Sequence, residues 1–153
     1  MSLVLTPEQV AQIEREGVAA YPNECCGAML GRDISSPQTQ LQPQPRRIVQ
    51  RLEPLVNSYS ADEQYHRFSL DPRELMQLEK IAGEAGLAVL GFYHSHPDHP
   101  ARPSETDRQH AWPYYSYVIV AIAKREAVDL TSWLLDEATE QFKAEEIVRE
   151  VAK

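Results

Sequence analysis

The chain has 153 residues, 42% of them hydrophobic and 25% charged, with a formal net charge of −8, which fits one soluble domain, residues 1–153, with a single sizeable core. The acidic balance argues against nucleic-acid binding, whose electrostatic footprint is a basic patch. No apolar run approaches the ~20 residues of a membrane helix, and the first residues, Met1-Ser2-Leu3-Val4-Leu5-Thr6-Pro7, lack the pattern of a secretory signal. The only cysteines, Cys25 and Cys26, are neighbours. They make no disulfide framework, so a reducing cytoplasm is the expected compartment and both are read as small buried side chains.

Thr6-Pro7-Glu8-Gln9 opens a helix, with a threonine N-cap, proline at the first position and an acidic first turn. Val10, Ile13 and Val18 supply an apolar stripe, Gly17 weakens its end, and Tyr21-Pro22 stops it. Glu24 to Gly31 reads as a buried strand of small and apolar residues. Residues 32–45 are rich in proline and polar residues and read as a loop. Ile48 to Val56 reads as a second strand, with Pro54 marking an edge, bulge or end. Arg46 and Arg47, just before it, and Arg51 within it are expected to form a solvated face rather than a binding patch. Asn57 to Arg67 is polar without a clear period and is expected to cross the surface near a site.

Asp71-Pro72 repeats the helix-start grammar, and Leu75, Leu78, Ile81 and Ala82 fall on one helical face that Gly83 or Gly86 ends. Leu87 to Tyr93 is a continuous apolar run, as in a strand covered on both faces. Tyr115 to Ala123 and Val128 to Asp136 read as further strands. Ala138 to Lys153 fits either a last strand or a terminal helix. These elements predict an α/β sandwich: a mixed, mostly antiparallel sheet flanked by helices.

The chemistry-bearing stretch is His94-Ser95-His96-Pro97, followed by Ser104-Glu105-Thr106-Asp107. Residues i and i+2 of a strand project from one face, so His94 and His96 can converge on one ion. Asp107 can join them if the chain turns back. Two histidines, a carboxylate and a water describe an open, catalytic zinc site rather than a closed structural one. Hydrolysis there also needs a carboxylate base and an oxyanion donor. Ser104 to Asp107 is equally a capping pattern that starts a helix and fixes where Asp107 points. His99 is read as solvated, and His66 and His110 form no pattern.

His94-Ser95-His96-Pro97, six residues, Ser104, two residues and Asp107 together resemble the signature of the JAMM (MPN+/Jab-domain) zinc metalloproteases, with agreement at every position. The likeness extends to Tyr21-Pro22-Asn23-Glu24-Cys25-Cys26-Gly27, to Asn57, to the Asp71-Pro72 helix start and to the strand before His94. It covers the chain from about Thr6 to Asp136 and points to the compact prokaryotic type. The resemblance implies the cytidine-deaminase-like MPN sandwich and one Zn2+ per chain on His94, His96 and Asp107. It makes Glu24 general base and proton shuttle, and Ser104 the oxyanion donor.

It also implies hydrolysis after the C-terminal Gly-Gly of a ubiquitin-like sulfur-carrier protein. The tail could lie along a strand edge, walled by Asn57 to Arg67; substrate-binding residues are not identified. The alternatives are a broader deubiquitinase-like deconjugating isopeptidase and a metal-free MPN scaffold that binds partners. Scaffolds generally lose a ligand or the glutamate, whereas all five residues stand here. A zinc nucleobase deaminase would need His-x-Glu with Pro-Cys-x-x-Cys, and neither is present. The oligomeric state is open, a homodimer included.

Overall fold

Ser2–Leu5 forms a strand, β1, that hydropathy pattern does not predict, because four residues are too few to show a period. All four are buried. The computed structural model describes residues 1–34, 46–55 and 71–150. The expected wall segment Asn57 to Arg67 lies outside the described residues, as does His66.

Helix α1, Pro7–Ala20, begins as its sequence predicts: Thr6 Oγ1 accepts from the Gln9 N–H and the Gln9 side chain accepts from the Thr6 N–H. Tyr21 ends it. Its buried stripe is Val10, Ile13 and Gly17, at i, i+3 and i+7. Val18 faces outward. Gly17 therefore does not weaken the helix end but lets it approach the sheet: a Cβ there would lie 2.9 Å from Ile122 Cδ1. Strand β2, Cys26–Ile34, and strand β3, Arg46–Leu55, follow, with Pro54 one residue from the end of β3. Helix α2, Pro72–Glu84, is capped by Asp71 and buries Leu78 and Ala82. Gly86 rather than Gly83 takes the positive φ beyond its end.

Strand β4, Ala88–Pro97, runs through both histidines. The short helix α3, Glu105–His110, precedes β5, Ser116–Ala123, β6, Glu126–Leu135, and β7, Phe142–Arg149. The C-terminal segment is thus a strand, chosen by its pairing to β1 and β6 rather than by its own mixed pattern. The order is β1-β3-β2-β4-β5-β6-β7, closing back on β1. Pairs β2–β3, β2–β4, β5–β6 and β6–β7 are antiparallel, and β1–β3, β1–β7 and β4–β5 are parallel. The sheet is mixed and mostly antiparallel as predicted, and β1 closes it into a barrel.

Alternation, reset on β4 by a bulge at Leu90 where the pairing with β2 shifts register, sorts the strands between two cores. Met29, Leu90, Tyr93 and Val120 pack with α1, whereas Ala28, Leu30, Phe92 and Tyr117 pack with α2. Among the described residues no helix is long and apolar enough to cross a membrane. The arginines of β3 do not form one solvated face. Arg47 is 2% exposed, donates to Ser116 Oγ at 2.9 Å and pairs with Asp33 at 3.4 Å beneath the Tyr114 ring. These contacts offset the cost of burying the guanidinium, although its Nε makes the 3.4 Å ion pair and no hydrogen bond.

Gly91 is required where β4 meets β5, since a Cβ there would sit 1.9 Å from the Ser116 carbonyl oxygen. Gly91→Ala is expected to cost at least the ~1–3 kcal/mol of an overpacked core. Gly83, with open space around it in α2, gives the opposite sign: Gly83→Ala stabilises by ~0.5–1 kcal/mol. Urea midpoints of the two variants check both.

Candidate metal centre

The face of β4 that carries Phe92 also carries His94 and His96, by strand alternation. Both histidines are buried, at 2% and 7% exposure, and their Nε2 atoms stand 3.1 Å apart. The loop after Pro97 turns the chain back, and α3 begins with a reciprocal cap. Asp107 N–H donates to Ser104 Oγ at 3.0 Å, and Ser104 N–H donates to Asp107 Oδ2 at 2.8 Å. The two readings of this stretch, cap and ligand, are therefore one arrangement. Held by its cap, the Asp107 carboxylate lies 3.2 Å from His94 Nε2 and 3.1 Å from His96 Nε2.

His96 Nδ1 lies 2.9 Å from the Pro100 carbonyl oxygen. A carbonyl only accepts, so Nδ1 carries a proton there and Nε2 of the neutral ring presents a lone pair to the centre. Electron-rich atoms facing one another at this range repel unless a proton or a cation lies among them. A tetrahedral ion with ligands at ~2.0–2.1 Å sets its donors about 3.3 Å apart, close to the observed triangle.

Glu24 sits two residues before β2, not on it, and is 5% exposed. Its carboxylate and the two imidazoles offer donor atoms that all lie within 4.8 Å of one another. Its Oε2 is buried without a hydrogen-bond partner. Burial first, and the Asp107 charge second, push the Glu24 carboxyl up to about 9. Burial alone would raise Asp107 too, but the adjacent imidazoles outweigh it and hold that carboxyl well below the usual range. The donor set fits a metal ion in two ways: His94 and His96 with Asp107, or the same histidines with Glu24.

A cavity of about 330 Å³ opens onto this cluster, lined by Glu24, His96, Pro97, His99, Pro100, Arg102, Ser104 and Thr106. All five predicted residues thus converge. Arg102, Thr106 and the Pro100 carbonyl went unpredicted: a backbone oxygen has no side-chain signature, and an arginine or threonine in a loop carries no spacing signal. His110 turns away, its Nδ1 against the Thr106 carbonyl of its own helix. Cys26 is buried against the Leu55 carbonyl, Cys25 is half-buried, and both are free thiols.

Comparison with known proteins matches residues 6–136 to the model of prokaryotic homologues of the JAB domain. The chain is 35% identical over 107 residues to the desampylase of Haloferax volcanii, covering 69% of this chain and 68% of that protein. It is 38% identical over 74 residues to a probable TtuB-protein conjugate cleaving protease of Thermus thermophilus, covering 48% of this chain and 49% of that one. The fold is similar to the crystal structure of a JAB1/MPN domain protein from Archaeoglobus fulgidus, with a TM-score of 0.55 at 17% identity over 97% of this chain and all of that one.

Removing the cap tests how α3 is anchored. Ser104→Ala should lower stability by ~0.5–2 kcal/mol, the range for a lost N-cap, read from thermal or urea unfolding. Ser104→Gly should cost only a few tenths of that unit.

Proposed function

The chain belongs to the prokaryotic homologues of the JAB domain, and on that premise we propose that it is a zinc metallopeptidase cutting after the C-terminal Gly-Gly of a ubiquitin-like sulfur carrier. The observation that carries this reading is the convergence of two imidazole nitrogens and a carboxylate at 3.1–3.2 Å beside a buried, partly unbonded glutamate. His94, His96 and Asp107 are the zinc ligands in this assignment. Asp107 is preferred over Glu24 because its oxygens complete the tight triangle and its cap holds it there. Bound zinc supplies a Lewis acid that polarises the scissile carbonyl and acidifies water.

With the charge of a bound cation offsetting the upward push of burial, Glu24 would be ionised, take the proton from the attacking water and deliver it to the leaving amine. Its unbonded Oε2 faces this task without a competing partner. The Ser104 hydroxyl accepts from Asp107 N–H, which leaves its own proton for the developing oxyanion. Besides Glu24, His96 and Ser104, the cavity is lined by Pro97, Pro100, Thr106 and the exposed His99 and Arg102.

A glycine pair suits a narrow approach, because it brings no side chains to the bond. Among the described residues β3 beyond Ile48 pairs only with β2, so its outer edge is a candidate for strand addition by an extended tail. The names of the two relatives favour protein conjugates as substrates, and a broader isopeptidase is the second reading. The proposal carries with it a cytoplasmic location, where Cys25 and Cys26 stay reduced.

Zinc-loaded protein incubated with a carrier extended past Gly-Gly should yield carrier ending at Gly-Gly, seen by mass spectrometry. Glu24→Gln should keep zinc and abolish turnover, whereas His96→Ala should lose stoichiometric zinc. Cleavage of isopeptide conjugates but not of the linear extension would favour the second reading. No cleavage of either, by a fully zinc-loaded protein, would sink both.

A further inference from the structure

Resting on the assignment of Glu24 as proton carrier, we propose that Ser95, between the two histidines, is a positioning residue that sets Glu24 against the metal centre. Strand alternation turns Ser95 to the face opposite His94 and His96, where it is fully buried. Its Oγ accepts from the Cys25 N–H at 2.8 Å, and its own N–H donates to the Cys25 carbonyl at 3.1 Å. The β2–β4 pairing begins only at Cys26 and His94. Ser95 thus extends the pairing by one residue, with a side chain completing what the ladder does not, and holds the residue directly after Glu24.

The other end of the same segment is held by the same stretch of chain. The Tyr21 hydroxyl donates to Asp98 Oδ2, and Asp98 Oδ1 accepts from the Lys124 N–H. Ser95 and Asp98 flank His96 and Pro97, and Tyr21 and Cys25 flank Glu24. The backbone carrying the proton carrier is therefore clamped at two points onto the backbone carrying the metal-binding donors. Glu24 needs this, because its Oε2 makes no hydrogen bond that would orient it. Alanine at 95 leaves the Cys25 N–H without its acceptor and frees that end of the segment. A misplacement of ~1 Å at a catalytic group can cost ~100-fold in rate.

The test uses the full chain with two readouts. In the metal-free protein, amide hydrogen exchange followed by NMR should show Cys25 protected, and Ser95→Ala should speed its exchange ~10-fold or more. In the zinc-loaded protein, Ser95→Ala should lower kcat by roughly 10- to 100-fold on the extended carrier, with KM and zinc content within about twofold of wild type. Tyr21→Phe, at a half-buried position, removes the second clamp alone and should lower kcat severalfold, so the idea stays testable if Ser95→Ala does not fold. Unchanged Cys25 exchange in Ser95→Ala, or folded variants with unchanged kcat, would overturn the proposal. Loss of zinc along with activity would overturn it too, since Ser95 would then act on the metal donors. An inactive wild type would instead count against the peptidase reading, and the exchange measurement would still decide the clamp.

Discussion

Holding two imidazole nitrogens and a carboxylate within 3.2 Å of one another is the constraint on which the rest of this molecule depends. With both ring nitrogens unprotonated such a cluster repels itself until a positive charge enters, so the scaffold must supply the rigidity in advance. It does so through β4, which is paired on both sides: antiparallel to β2 and parallel to β5. The strand fixes the two histidines, the Pro100 carbonyl fixes one ring, and the Ser104 cap fixes the aspartate. Few of these contacts are strong alone. Their value lies in leaving each donor one position.

Burial sharpens the electrostatics of the site. Both histidines are almost fully covered, and Glu24 is covered nearly as well. A carboxylate kept from water and set near a second carboxylate is costly in charged form, which is why the Glu24 carboxyl is pushed upward while Asp107, beside the imidazoles, is pulled down. The two carboxylates are thus distinguished by their neighbours. One is suited to stay charged beside a cation and the other to exchange a proton.

Much of this was legible in the sequence where local grammar is strong. Thr6-Pro7 and Asp71-Pro72 announce helices because cap and proline act over a few residues. The run into His94 announces a strand covered on both faces, and the Ser104 to Asp107 spacing encodes the cap that aims the third donor. Illegible parts depend on long-range pairing. Four residues at Ser2–Leu5 become a strand only because β3 and β7 flank them. The charged pattern of Phe142–Arg149 turns into a strand for the same reason, and Arg47 is buried because Asp33, Ser116 and Tyr114 meet it there. Glu24 has no periodic or spacing signal linking it to residues seventy positions away. Only family resemblance singled it out among 23 acidic residues.

Zinc-edge X-ray absorption on the zinc-loaded full chain tests the centre most directly. The expected result is one zinc per chain with two imidazole nitrogens and oxygen donors at ~2.0–2.1 Å and no sulfur. A sulfur shell at ~2.3 Å, which would place Cys25 or Cys26 on the metal, or no zinc retained at one per chain, would contradict it.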